Sequence, residues 1–156
     1  MTTLTLSDLT ARTGLDVLDH LERDVAIPVL DGLQAQGDLL VIPLAMLGKA
    51  VSIDSWASWL EVSAGGVEVL RGAAGGNPHT LVAEPGACEW TTNLADTTRL
   101  AVGAFRTTAP AYLLHPEHGG SGVAPGTYVI RRQRERGVAP TPFSGVRTGG
   151  VRFIAD

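Results

Sequence analysis

Apolar residues recur with one period in the first 25 residues and with another along the rest of the chain. Near the start they recur at steps of three and four, the spacing of one face of a helix, at Leu15, Leu18, Leu21 and Val25. Ahead of this stripe, LTARTGL at 9–15 predicts a first helix, with Ser7 or Asp8 as its N-cap. The N-terminal third therefore predicts two helices, separated by Gly14 and ended by Pro28.

After residue 36 the apolar residues form short runs bounded by glycine, proline and other turn residues. Such runs predict strands at 37–43, 67–72, 79–84, 88–93, 99–105, 111–115, 127–135 and 151–156. Turns are predicted at 75–77, 84–86, 118–122 and 124–126. We therefore expect a mainly β protein, an antiparallel sandwich or small barrel of six to nine short strands. A helical segment at 1–35 precedes a single β-rich unit at 36–156, in which 138–150 forms a long loop.

Composition supports a folded domain that remains in the cytoplasm. Of 156 residues, 44% are hydrophobic and 18% charged, which argues against a disordered chain. The 19 glycines and 9 prolines argue against a helix bundle. Apolar runs are too short for a membrane-spanning helix, and the start MTTLTLSDLT lacks the pattern of a signal peptide. We expect a cytoplasmic location and no membrane partner.

The single cysteine, Cys88, limits the disulfides and metal sites that the chain can form. One cysteine excludes an intramolecular disulfide and a zinc site built from cysteines. We expect Cys88 to be a small packed hydrophobic residue rather than a nucleophile.

Charge is distributed unevenly along the chain. Residues 1–68 hold ten acidic and three basic residues, whereas the chain from 131 onward holds six arginines and two acidic residues. These opposite charges favour contact between subunits, or a polyanion-binding surface at Arg131, Arg132, Arg134 and Arg136. Nucleic acid is a weaker alternative, because the chain is acidic overall with one lysine and few aromatic residues. The arginines can instead pair with the acidic N-terminal third.

Histidines at strand ends are the candidate metal ligands. In YLLHPEHGG, a turn after Pro116 can bring His118 beside His115, with Glu117 between them. His79 opens another predicted strand and can join them. Imidazole and carboxylate groups bind zinc, iron or manganese, so one divalent metal ion is the expected cofactor. A hydrogen-bonded surface turn is the alternative.

The chain resembles a group of small, uncharacterised bacterial and phage proteins through five ordered motifs. These motifs are QGDLLVIP at 36–43, GNPH at 76–79, LLHPEHG at 113–119, GTYVIRRQRE at 126–135 and IAD at 154–156. The resemblance implies a histidine pattern at His79, His115 and His118, with Glu117. Asn77 departs from it, because a histidine stands at this position in the group. The spacing is also similar to that of cupin barrels, although the cupin histidine motif is absent.

The functions that remain belong to different classes. We expect a non-catalytic assembly or adaptor protein that self-associates or binds another protein, with a His-rich metal site. The alternatives are a cupin-like metal-dependent enzyme and a nucleic-acid-binding protein in which LSDLTARTGLDVLDHL forms a helix-turn-helix. No catalytic residue can be named from the sequence.

Overall fold

The computed structural model describes residues 4–18, 21, 23–71, 77–136 and 151–153, with backbone alone for 134–136 and 151–153. The predicted loop at 138–150 and the terminal IAD motif lie outside the described residues. Within the described residues, no helix is long and apolar enough to span a membrane.

One α-helix, α1 (Leu6–Thr13), opens the chain. Its N-cap is Thr5 rather than the predicted Ser7 or Asp8. The Thr5 hydroxyl accepts from the Asp8 amide at 3.1 Å, and the Asp8 carboxylate accepts from the Thr5 amide at 2.8 Å. This capping box satisfies two backbone donors that a helix start leaves without intrahelical partners. Gly14 ends the helix in the left-handed conformation, with φ of 71°.

The second helix predicted after Gly14 is not formed by the described residues 14–18. The backbone of this stretch bonds to the β-rich part of the chain instead: the amide of Leu18 donates to the carbonyl of Pro116 at 2.9 Å. Val17 is buried without helical periodicity. Tertiary contacts therefore override the leucine spacing, and the helix-turn-helix interpretation loses its second helix.

Fifteen short strands are described, most of them in two sheets. Their bounds are β1 Val29–Leu30, β2 Gln34–Gln36, β3 Leu39–Pro43, β4 Val51–Ile53, β5 Leu60–Glu61, β6 Val67–Arg71, β7 Pro78–Val82, β8 Cys88–Thr91, β9 Leu94–Asp96, β10 Ala101–Thr107, β11 Ala111–His115, β12 Gly119–Val123, β13 Gly126–Arg132, β14 Arg134–Arg136 and β15 Val151–Phe153. Two 3-10 turns, Leu44–Met46 and Gly48–Ala50, follow β3. The strands exceed the expected six to nine because several are pairings of only two or three residues.

The two large sheets form a sandwich, which confirms the expected fold class. The five-stranded sheet has the order β1-β12-β11-β7-β6, and the six-stranded sheet has the order β2-β3-β13-β10-β8-β5. All pairings between the described strands are antiparallel except that of β1 with β12. Two further pairs, β4 with β9 and β14 with β15, lie outside the large sheets.

Three apolar clusters stabilise the layers. The main core lies between the sheets and includes Phe105, Leu113 and Ile130, which are fully buried. Burying such a side chain contributes roughly 1.5–3 kcal/mol. A second cluster packs the N-terminal segment, including Leu9, on the outer face of the five-stranded sheet. A third, around Val129, covers the outer face of the six-stranded sheet. The segment 1–35 thus shares its core with the β-rich unit.

Strand β12 occupies the region that HGGSG predicted to be a turn, so that prediction is wrong. Its glycines allow the N-terminal segment to approach closely. A Cβ atom at Gly120 would lie 2.6 Å from a side-chain carbon of Ile27, and one at Gly122 would lie 2.5 Å from the carbonyl oxygen of Pro28. Glycine is therefore required here by contact with another segment rather than by a bend in the chain.

Candidate functional site

Three imidazoles from two of the motifs lie in a row at one end of the sandwich. His79 lies on β7, His115 ends β11, and His118 lies in the turn before β12. The ring centroids of His79 and His115 are 4.4 Å apart, and those of His115 and His118 are 4.5 Å apart. His79 and His115 are fully buried, whereas His118 is exposed. Pairing of β7 with β11 brings two of these histidines together across 36 residues of sequence.

Gln36 fixes the orientation of His79. Its side-chain amide nitrogen donates to the carbonyl of Leu113 at 3.0 Å, to the carbonyl of Gly119 at 3.3 Å and to the Ser121 hydroxyl at 3.1 Å. Because carbonyls only accept, this end of the amide is the NH₂ group, and Oε1 faces Nδ1 of His79 at 2.9 Å. Nδ1 of His79 is therefore the protonated nitrogen that donates to Gln36.

Asp38 completes the buried arrangement. Its Oδ1 lies 3.0 Å from Nε2 of His79, and the two side chains are 4% and 0% exposed. Since Nδ1 of His79 already donates to Gln36, a hydrogen bond between Nε2 and Oδ1 requires a further proton between these two atoms. The pair is either imidazolium with carboxylate or imidazole with carboxylic acid, and in both forms it is neutral as a unit. Neutrality as a pair lets two ionisable groups lie in the interior.

His115 holds the turn that follows it. Its Nδ1 accepts from the backbone amides of Glu117 at 3.1 Å and His118 at 3.2 Å. Nδ1 is therefore the unprotonated nitrogen, and in the neutral ring the proton lies on Nε2. A neutral imidazole that binds a metal ion through Nε2 carries its proton on Nδ1 instead. Ligation by His115 through Nε2 thus requires the loss of both amide contacts.

Glu117 is exposed and contacts Asn77. The amide nitrogen of Asn77 donates to Oε1 of Glu117 at 2.8 Å. This hydrogen bond joins the residue before β7 to the HPEH turn. No group of three or more His, Cys, Asp or Glu side chains within the described residues is arranged to hold a metal ion. The metal site at His79, His115, Glu117 and His118 stays a prediction.

Arg131, the first residue of the predicted arginine surface, forms an ion pair within the molecule. Nε and Nη2 of Arg131 donate to the two carboxylate oxygens of Asp96 at 3.0 and 2.9 Å. Asp96 lies outside the acidic N-terminal third that the sequence offered as a partner. Burial alone would raise the pKa of Asp96, but hydrogen bonds from Thr98 and Arg131 outweigh it and lower that pKa. Arg132 is partly exposed at the end of β13.

Arg134 and Arg136 lie in β14, where only the backbone is described.

Cys88 is buried between the sheets, as expected. Burial raises the pKa of its thiol to about 12, which leaves it protonated and unsuited to nucleophilic attack near neutral pH.

The residues that the sequence interpretation missed are Gln36 and Asp38. Both belong to the motif QGDLLVIP, which the sequence suggested only as the start of a buried strand. The motif itself contained the clue, because a polar Gln and Asp flank a glycine directly before an apolar run. Their contacts with His79 span 43 and 41 residues, so local spacing could not pair them.

Fold and site together define a two-sheet β-sandwich whose layers are joined by a buried histidine–aspartate pair. The chain belongs to the family described as a domain of unknown function, DUF8820, whose model matches residues 35–133. The match covers the two large sheets except for β1 and the first residue of β2, and it includes the whole Gln36–Asp38–His79 network. No curated protein and no solved structure matches the chain.

Proposed function

We propose that the protein is a non-catalytic assembly module of the cytoplasm that associates with further copies of itself. The observation that carries this proposal is the exposure of large apolar side chains at both lateral edges of the sandwich. At one edge, Leu30 in β1 is 52% exposed and Leu33 before β2 is 56% exposed. At the other edge, Trp56 before β5 is 71% exposed and Leu60 in β5 is 56% exposed. Grouped apolar side chains at a surface mark sites of protein association.

The chemistry of the buried pair supports a structural role. His79 and Asp38 are withdrawn from solvent, so a substrate cannot reach the ring nitrogens or the carboxylate in this arrangement. Each has its hydrogen-bonding partner within the protein, and the pair links one sheet to the other. The polar residues that resemble a site thereby hold the two layers in register.

Sedimentation velocity over a micromolar concentration series tests the proposal. A self-associating module gives a weight-average mass that rises with concentration to at least that of two chains. A mass of 16.3 kDa at every concentration, in low and in high salt, would contradict it. Leu33→Ser and Leu60→Ser each remove one edge's exposed leucine while leaving the inter-sheet core intact, and they identify the edge that associates.

A second candidate function is metal binding, and the row of three imidazoles is the observation that favours it. In that proposal the exposed His118 and Glu117 bind the ion first. The buried His79 and His115 then become ligands in exchange for their present hydrogen bonds. Elemental analysis of purified protein for zinc, iron, manganese, nickel and copper tests it. Stoichiometric metal that is lost in His118→Ala supports a metal-binding protein or a cupin-like enzyme. Metal below a tenth of stoichiometry, as an order-of-magnitude threshold, argues against both.

The motif resemblance supports one further proposal, which concerns a role shared with similar proteins. We infer that the chain shares its role with the small bacterial and phage proteins that carry the same ordered motifs. A shared assembly role predicts that such a relative, purified in the same way, also shows a mass that rises with concentration.

A further inference from the structure

Strand β2 is an outermost strand of the six-stranded sheet, with β3 as its neighbour on the inner side. The side chains of Gln34 and Gln36 point toward the five-stranded sheet, where they donate to the carbonyls of Gly122 and Leu113. Ala35 alternates to the opposite face and is exposed. Among the described strands, none pairs with the outer backbone edge of β2, which is flanked by the exposed Leu33.

The hairpin geometry determines which backbone groups of β2 face outward. A two-residue turn at 37–38 joins β2 to β3, with Gly37 in the left-handed region at φ of 58°. In such a hairpin the pair next to the turn, Gln36 with Leu39, is hydrogen-bonded. Antiparallel ladders alternate, so the pair of Ala35 and Leu40 is the non-hydrogen-bonded one. The N–H and C=O of Ala35 therefore point away from β3.

We propose that two copies of the chain associate through antiparallel pairing of their β2 strands, around a two-fold axis at Ala35. This inference rests on the proposed self-association and names its surface. Each Ala35 donates its N–H to the carbonyl of the other, which joins the two six-stranded sheets into one. Leu33 of one copy then lies opposite Gly37 of the other, at the turn end of β2. The contact is isologous, so every interaction occurs twice.

Charge complementarity selects a second copy as the occupant of this edge. The exposed Asp31 lies at the first end of β2. At the turn end, Gln36 pairs with Leu39, Leu39 pairs with Arg132, and the amide of Gln133 donates to the carbonyl of Asp38 at 2.7 Å. Strand β14, which carries Arg134 and Arg136, follows directly. Antiparallel pairing thus directs the acidic end of each copy toward the arginine-bearing end of the other.

Proline at position 35 gives the sharpest test. Ala35→Pro removes an N–H that faces outward, and proline is tolerated on edge strands in this orientation, so the β2–β3 ladder is retained. Ala35→Ser keeps the N–H and is the matched control. In sedimentation equilibrium, A35P is expected to raise the dimer dissociation constant at least about tenfold, as loss of two hydrogen bonds predicts. A35S is expected to match the unsubstituted chain.

A charge exchange tests the orientation of the two copies. Asp31 is exposed and Arg132, at the turn end, is partly exposed, so Asp31→Lys and Arg132→Glu are each expected to weaken the dimer by about two- to fivefold, the effect of surface charge pairs. The double variant is expected to restore the affinity, and high salt to remove the differences shown by the two single variants. Additive losses in the double variant would overturn the antiparallel arrangement.

The outcomes separate this inference from the proposed function. An unsubstituted chain that stays monomeric overturns both. If A35P associates as strongly as the unsubstituted chain, and Leu60→Ser abolishes association, only the β2 pairing is overturned. Association then lies at the opposite edge. Far-ultraviolet circular dichroism and unfolding by urea verify that A35P is folded. If A35P is unfolded, Leu33→Ser replaces it, and a dissociation constant unchanged by that variant counts against the pairing.

Discussion

Nε2 of His79 lies 3.0 Å from Oδ1 of Asp38, with His79 on the five-stranded sheet and Asp38 in the hairpin turn of the six-stranded sheet. The contact joins the two layers through a hydrogen bond between ionisable groups. Gln36 holds the other ring nitrogen and also bonds the backbone of β11 and β12. A polar network of this kind specifies how the sheets align, and its partial removal leaves buried groups without partners.

Removing the Asp38 carboxylate is expected to destabilise the protein strongly. Asp38→Ala leaves the buried His79 ring with an unmatched nitrogen, at a cost of about 3–5 kcal/mol, as for broken buried ion pairs. Asp38→Asn allows an amide N–H to donate to Nε2 of a neutral His79, so this variant is expected to lose about 1 kcal/mol of unfolding free energy. Urea unfolding followed by tryptophan fluorescence measures both. Equal losses would show that the donor–acceptor match at His79 is unimportant.

Gln36 is expected to contribute more to stability than the neighbouring Gln34. Gln36→Leu removes the partner of three acceptors and of Nδ1 of His79, which are buried or partly buried, and is expected to cost about 3 kcal/mol or more. Among the described residues, the Gln34 side chain makes one hydrogen bond, which it donates to the carbonyl of Gly122 at 3.1 Å. Gln34→Leu is therefore expected to cost about 1 kcal/mol or less. Urea midpoints that fall equally in the two variants would contradict the central position of Gln36.

Substitution at Gly122 is expected to displace the N-terminal segment. A Cβ atom there would meet the backbone of Pro28 and Val29, which cannot rotate away as a side chain can. Gly122→Ala is expected to cost about 1–3 kcal/mol, the usual penalty for overpacking. Gly65→Ala is the control, because its Cβ would meet only the Ser63 hydroxyl at 3.8 Å. Thermal unfolding of the two variants compares them, and an unchanged G122A would show that the segment shifts freely.

Asp96 is expected to make the fold sensitive to acid. Its pKa is lowered in the folded state, so its contribution is fully present above the ordinary value of 3.8 and is lost as the pH falls through the lower folded pKa. The stability difference between the unsubstituted chain and Asp96→Asn should therefore shrink as the pH falls below 3.8. Urea midpoints measured from neutral to strongly acidic pH report this difference. A difference that stays constant over that range would show that the Arg131 contact does not depend on the charge of Asp96.

The strands and the positions of the histidines were predictable because their signals are local. The apolar runs LLVIP and AYLLH each form a strand within the predicted bounds, and TYVIR lies in a strand that begins one residue before them. The histidines end or open strands, as their sequence neighbours suggest. Gly14 ends the first helix as its position predicts, and the HPEH turn after Pro116 forms with His118 beside His115.

The remaining features were not predictable because they depend on distant partners. The glycine-rich β12 resembles a turn by composition, and it is a strand because β11 on one side and Val29 on the other supply its hydrogen bonds. Leucine spacing predicted a helix after Gly14, but contacts with the β-rich unit, such as that of Leu18 with Pro116, replaced it.

The sequence by itself determined the mainly β class, the single buried cysteine and the set of polar residues available at strand ends, because alternation and turn chemistry act between near neighbours. Tertiary structure alone decided that Gln36 and Asp38 enclose His79, that Asn77 contacts Glu117, and that Arg131 pairs with Asp96. Each of these pairs is separated by 35 residues or more, and only the packing of one sheet on another brings such distant side chains within hydrogen-bonding distance.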